Sequence, residues 1–306
     1  MTDVVSAGWR GVFTIPCTPF DNAGRLDLGS LRSEIAFCLE AGAHGIVAPV
    51  AASEARTLTD EERRTVAEVL VEAVGGRVPV VVGVSAGSAE ASVAFARHAA
   101  AIGADAVIAL PPSGPPASLD AVFAAFRTLS DAITIPIFVQ NIDPPFGTRL
   151  PPAFVARLVR EIEYVAWVKE ETMPPGQAIS AEIALAGNAL HGVMGGIAGR
   201  YLLDEVRRGA RGTMPACEVT DVHVLVWEAL AAGDERRARD LFNRLLPLLN
   251  VEARTLGVCK AVLKRRGVIA SDYMRQHAGN PLDDLDRVEL DVILDDLRDL
   301  FRLALP

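Results

Sequence analysis

The chain is poor in lysine. Its 306 residues hold only three, Lys169, Lys260 and Lys264, against twenty-seven arginines. It also lacks a basic excess: the formal charge is -9 at pH 7 and no basic face is visible. That argues against nucleic acid as a partner, since phosphate binding needs such a face. Long apolar runs are missing too, because charges interrupt every stretch before it reaches membrane-spanning length. The first ten residues, Met1 to Arg10, have neither the basic start nor the apolar centre of a secretion signal. Cys17, Cys38, Cys217 and Cys259 stand far apart, with no pair at metal-binding or redox spacing. They read as packed thiols in a reducing compartment, so a soluble cytoplasmic protein with no membrane partner is expected. His44, His98, His191, His223 and His277 are scattered and read as structural, and no metal or cofactor is expected. Of these, His191 lies on a strand segment from which it could line a site.

What is present is a repeated alternation. Half of the chain is apolar, ample for a large core. Short β-branched runs alternate with helical patterns through the first two-thirds. The strand segments are Gly11 to Thr18, Gly45 to Pro49, Arg77 to Val84, Asp105 to Leu110, Pro136 to Gln140 and Tyr164 to Lys169, with two weaker ones at Leu190 to Met194 and Gly212 to Met214. Thr59-Asp60-Glu61-Glu62 is a capping-box start for a helix running to about Val74, and Ser88 caps another. Apolar strands without alternation are covered on both faces, as in parallel sheets. Eight such units fit a closed (β/α)8 TIM barrel better than an open doubly wound sheet. The open sheet would usually carry a glycine-rich phosphate loop after its first strand, where this chain has Cys17-Thr18-Pro19-Phe20. Beyond Gly233 the pattern is purely helical: Asp234 to Asn250, Glu252 to Arg266 and Asp283 to Leu303. The expected division is a barrel over residues 1-232 and a C-terminal helical domain over 233-306.

In such a barrel, function gathers at the C-terminal strand ends. Those positions are Thr18, Ala51-Ala52-Ser53-Glu54, Ser85, Pro111-Pro112-Ser113, Gln140-Asn141, Lys169 with Glu171, Gly195-Gly196 and Thr213 to Ala216. Lys169 ends the apolar run Tyr164-Val165-Ala166-Trp167-Val168. Burying an ammonium is expensive, so a lysine in such a place tends toward a nucleophilic amine. Glu171 is two residues on along an extended chain and faces the same way. Two readings stay open: an imine-forming lysine with an acid/base carboxylate beside it, or a plain ion pair at a barrel rim.

Three motifs carry a resemblance. Gly11-Val12-Phe13-Thr14-Ile15-Pro16-Cys17-Thr18-Pro19-Phe20, Ser53-Glu54 with Leu58-Thr59-Asp60-Glu61-Glu62-Arg63, and Trp167-Val168-Lys169-Glu170 resemble the dihydrodipicolinate synthase / N-acetylneuraminate lyase superfamily. They fall in that family's order, and the likeness runs through the helical tail. It implies a (β/α)8 barrel, usually a homotetramer, whose strand-six lysine, here Lys169, forms a Schiff base with a 2-keto acid. It also implies that Ala52 and Ser53 hold the carboxylate of that acid. Thr18, Gln140 and Gly195 complete the expected substrate-binding set, with Lys169 and Glu171 as the catalytic pair.

The departures matter as much. The family's Gly-Thr-Thr-Gly-Glu-like loop reads Val50-Ala51-Ala52-Ser53-Glu54 here, leaving backbone N–H groups and Ser53 to grip the carboxylate. The strand-five relay tyrosine is replaced by Gln140, and the second tyrosine is missing from Pro111-Pro112-Ser113-Gly114. Of the chain's three tyrosines, Tyr164, Tyr201 and Tyr273, none is an obvious substitute, and Tyr201 opens a helix. Aldol cleavage needs a base for the C4 hydroxyl, which an amide cannot be. Dehydration needs a base at C3 and an acid for the leaving hydroxyl, and Glu171 could be both. This pattern is similar to the L-2-keto-3-deoxyarabonate dehydratase branch, which yields 2,5-dioxopentanoate. That branch commonly reads Asn-Phe-Ser-Glu where this chain has Ala51-Ala52-Ser53-Glu54, so the substrate can differ. Two other readings remain: a pyruvate-dependent aldolase or synthase using water or Ser113, and a silent barrel that senses a keto acid.

Overall fold

Valine and isoleucine dominate the strand segments, since β-branched side chains suit a pleated surface covered on both sides. The structure, a computed structural model, describes residues 8-112, 118-252, 255, 257-275 and 281-303. Ser113 and His277 lie outside them. Eight strands follow one another: β1 (Gly11–Thr14), β2 (Gly45–Val47), β3 (Val80–Gly83), β4 (Ala106–Ala109), β5 (Ile137–Ile142), β6 (Val165–Glu171), β7 (Gly192–Gly195) and β8 (Gly212–Thr213). Each pairs in parallel with the next, and β1 pairs with β8 to close the barrel. The expected TIM barrel is what forms.

The helices between the strands are α1 (Leu28–Glu40), α2 (Asp60–Val74), α3 (Ala89–Ala101), α4 (Leu119–Ser130), α5 (Pro152–Glu161), α6 (Pro175–Ala186), α7 (Leu202–Arg207) and α8 (Thr220–Ala231). At the start of α2 the Thr59 hydroxyl accepts from the Glu62 N–H, and the Glu62 carboxylate accepts from the Thr59 N–H. Gly75, at φ +57°, ends it in the left-handed conformation that glycine adopts without strain.

Side chains alternate across the barrel wall. Val80, Val82, Val139, Val165 and Val168 point outward into the helix layer. Phe13, Val81, Ile108, Phe138, Trp167 and Met194 point inward and fill the interior. At the floor four aromatic rings gather: Trp9 stacks on Trp167 at 5.9 Å and on Phe138 at 6.3 Å, and Phe13 lies 6.0 Å from Trp9. His191 precedes β7 and meets the edge of Trp167 at 6.5 Å. It therefore belongs to the floor and not to the mouth, because it stands at the N-terminal end of the strand, opposite the C-terminal end that faces the mouth.

Three further helices, α9 (Glu235–Glu252), α10 (Gly257–Arg265) and α11 (Asp284–Leu297), follow the barrel, with a short 3-10 turn at Arg298–Leu300. Leu241, Leu245, Leu248, Val258, Val262, Leu290 and Ile293 share one apolar cluster with Leu202 and Leu203 of α7 and Val222 and Val226 of α8. Two buried ion pairs join this layer to the barrel: Lys260 to Glu54 at 2.5 Å, and Arg266 to Asp221 at 2.6 Å. Among the described residues no helix is long and apolar enough to cross a membrane.

Candidate active site

The site grows from the alternation of β6. Trp167 points into the barrel, so Lys169 and Glu171 point the same way higher up, toward the mouth. Lys169 is 5% exposed and Glu171 7%. Lys169 Nζ stands 3.2 Å from Glu171 Oε1. Gln140 on β5 is in register with Lys169, and its amide donates to Glu171 Oε2 at 2.6 Å. The Ile197 N–H donates to Glu171 Oε1 at 3.0 Å. Each carboxylate oxygen thus has one fixed donor, and the same face presents the lysine.

Two features after β7 make room for this arrangement. A Cβ on Gly196 would sit 2.3 Å from Glu171 Cγ, so only glycine lets the carboxylate lie there. Ile197 and Ala198 take φ of +48° and +58°. That left-handed backbone costs on the order of 1 kcal/mol or more per residue and aims the Ile197 N–H at Glu171. Gly195 plays a parallel part on the outer face: a Cβ there would meet Glu205 Oε2 at 1.9 Å. Gly195 therefore makes way for a buried acid behind the strand.

The outward residue of the triplet, Glu170, is held just as firmly. It accepts from Asn141 Nδ2 at 2.8 Å, from the Thr172 N–H at 2.6 Å and from the Thr172 hydroxyl at 2.5 Å. Asn141 in turn brackets both backbone polar groups of Leu150. Behind this layer lie Glu182 on α6 and Glu205 on α7, both 0% exposed and both without a hydrogen-bond partner. Burial pushes Glu205 up to about 8, with the negative charge of Glu171 adding to it. Burial and Glu170 push Glu182 up to about 10. Sequence reading missed both acids. An isolated glutamate on an amphipathic helix carries no signal that it will face the sheet.

The strand-two loop closes another side. Ala51–Ser53 forms one 3-10 turn, and Ala52 packs against the inner apolar cluster. Here the expected hydroxyl contacts change. The Thr18 hydroxyl donates to the Ser53 carbonyl at 2.6 Å, and the Ser53 hydroxyl donates to the Pro16 carbonyl at 2.7 Å. Both residues are fully buried, and both protons are committed to the backbone. They brace the loop against β1 instead of reaching into the mouth. Glu54, at φ +54°, turns away and pairs with Lys260.

Above these groups a cavity of about 510 Å³ opens between the ends of β2 to β5, lined by Val50, Ala51, Ser85, Leu110, Gln140 and Phe146 among others. Ser85 accepts from the Leu110 N–H at 2.8 Å, and Arg56 on the rim donates to the Phe146 carbonyl at 3.3 Å. The chamber is large enough for a small polyhydroxylated acid, and it reaches Gln140, whose amide holds Glu171.

The pattern of the dihydrodipicolinate synthetase family matches residues 8-296. An L-2-keto-3-deoxyarabonate dehydratase from Azospirillum brasilense is 35% identical over 283 residues, covering 90% of each chain. A 4-hydroxy-tetrahydrodipicolinate synthase from Methanopyrus kandleri is 30% identical over 244 residues, 78% of this chain and 80% of the relative. The crystal structure of a dihydrodipicolinate synthase from Rhodopseudomonas palustris superposes with a TM-score of 0.87 at 28% identity, covering 95% of this chain and 98% of the other. With barrel, helical tail and mouth all falling within that likeness, the chain belongs to the dihydrodipicolinate synthetase family.

Proposed function

We propose that this lyase dehydrates a 2-keto-3-deoxy sugar acid of the L-2-keto-3-deoxyarabonate type through an imine on Lys169. The observation that carries the reading is the placement of Glu171: its Oε1 lies 3.2 Å from the Lys169 amine, while Gln140 stands where an aldolase would need a phenol. The name of the Azospirillum brasilense relative agrees with it.

The chemistry follows from the atoms at hand. The Lys169 amine attacks the C2 carbonyl, and loss of water gives a protonated imine. That cation acidifies C3, and Glu171 takes a C3 proton to form an enamine. The enamine expels the C4 hydroxyl, which takes a proton from Glu171 and leaves as water. A proton shift from C5 to C3 gives an enol that ketonises by protonation at C4, and hydrolysis of the imine then frees 2,5-dioxopentanoate and restores Lys169. One carboxylate serves as base and then as acid, which is the economy that a single fixed glutamate permits. The turn at Ala51–Ser53 receives the substrate carboxylate, braced from below by Thr18 and Ser53. The working assembly is taken to be a homotetramer.

The test is trapping. The protein is incubated with L-2-keto-3-deoxyarabonate or with pyruvate, borohydride is added, and the modified peptide is located by mass. The expected result is an adduct on Lys169, with a semialdehyde as the released product. Absence of any adduct there sinks every imine mechanism, and release of pyruvate from the sugar acid sinks dehydration.

A further inference from the structure

All four cysteines of the chain are buried thiols, and the fold brings them together where the barrel meets the helical tail. Cys17 follows β1, Cys38 lies on α1, Cys217 follows β8 and Cys259 lies on α10. The Cys17 thiol touches those of Cys217 and Cys259. Cys217 Sγ donates to Glu34 Oε1 at 2.9 Å, and the Cys17 N–H donates to the same oxygen at 2.7 Å. On the far side of Cys259 stand two more acids. One ligand atom each from Glu218, Glu252 and Cys259 lies within 4.8 Å of the other two.

The charge balance of this pocket is unusual. Glu218 is 0% exposed, and neither of its carboxylate oxygens has a hydrogen-bond partner. Lys260, the ammonium that reaches this region, is committed to Glu54 at 2.5 Å and to the Tyr273 carbonyl at 2.9 Å. A buried carboxylate without a partner must hold a proton or face a cation.

We propose that Glu218, Glu252 and Cys259, with a water in the fourth position, bind one divalent ion of the zinc type. Mixed thiolate and carboxylate donors in fourfold number suit zinc, whereas magnesium and calcium take six or more oxygens. Binding releases the Cys259 thiol proton and any proton shared by the two carboxyls. The ion ties the end of α9, the start of α10 and the segment after β8 into one unit.

Three readouts decide the matter. Protein prepared without chelator is expected to carry about one zinc per chain by elemental analysis. Chelator-treated protein titrated with cobalt is expected to show a thiolate-to-cobalt charge-transfer band in the near ultraviolet. Zinc at a hundredfold excess over its Kd is expected to raise Tm by about 4 °C. Glu218→Gln and Cys259→Ser are each expected to lose the cobalt band while still forming the borohydride adduct on Lys169. The cobalt spectrum is read first on the wild-type chain, so the decision does not depend on either variant folding. A wild-type protein with no band up to millimolar cobalt overturns the proposal, and so does a band that persists unchanged in both variants. Neither result touches the imine chemistry, which the trapping experiment judges on its own.

Discussion

Gln140 and Glu171, neighbours across β5 and β6, are joined by a 2.6 Å hydrogen bond from the glutamine amide to Glu171 Oε2. The amide has no acidic proton to relay. What it supplies is aim, holding one carboxylate oxygen so that the other meets both Lys169 and the Ile197 N–H. A side chain that fixes an acid replaces one that would have been an acid.

Replacing Glu171 by glutamine is therefore expected to leave imine formation intact and to slow the loss of water by about a hundred- to ten-thousandfold. Lys169→Ala abolishes the borohydride adduct altogether. Peptide mass after trapping, read beside turnover, separates the two. If E171Q turned over at the wild-type rate, Glu171 could not be the base.

Gly196→Ala tests the same carboxylate through the backbone. The added methyl would lie 2.3 Å from Glu171 Cγ and must displace it. The expected outcome is a fall in kcat of about a hundredfold, comparable to the milder end of losing the acid/base group itself. The adduct on Lys169 should be retained and the far-ultraviolet circular dichroism unchanged. Wild-type kcat in this variant would mean that Glu171 is not held where the chemistry needs it.

Stability should depend on pH through Glu205. A free glutamate ionises near 4.5, whereas the folded protein keeps the proton on Glu205 up to about 8. Between those values the folded state carries a proton that the unfolded state has lost, so stability falls as pH rises through this window. Below 4.5 both states hold the proton and the cost vanishes. Glu182, held protonated to about 10, extends the decline to higher pH. Tm measured from pH 5 to 8 is expected to drop in the wild type and to drop less in Glu205→Gln; identical slopes would rule out the assignment.

The Lys260–Glu54 pair, both partners 1% exposed, is a buried ion pair. Removing one partner strands the other charge, so Lys260→Met is expected to cost about 3-5 kcal/mol in denaturant unfolding. Adding Glu54→Gln to it should recover part of that loss. A double variant as unstable as the sum of two single losses would contradict the pairing.

Much of the barrel could be read from periodicity because its strands are apolar on both faces and its helix starts are chemically marked. Thr59 with Glu62 and Ser88 placed two helix starts to the residue. The Lys169–Glu171 pair was legible for the same reason, since a two-residue step on a strand leaves little choice of face. What escaped depended on distance in sequence. Cys17 and Cys217 are two hundred residues apart and meet only because β1 and β8 close the barrel. Ser53 was expected to offer its hydroxyl to a substrate, and nothing local reveals that Pro16 would take the proton first. His191, a candidate to line a site, stands before β7 at the N-terminal end of the barrel and meets the edge of Trp167 there.

The aromatic floor has a consequence for the order of events. Trp9, Phe13, Phe138 and Trp167 seal the barrel beneath Lys169, so the amine is approached from the mouth side. Under the proposed dehydration, substrate, each departing water and the final dicarbonyl would then share a single doorway. In that reaction a bound sugar acid would act as its own stopper: while it filled the chamber, bulk water would be slow to hydrolyse the imine, giving elimination time to finish first.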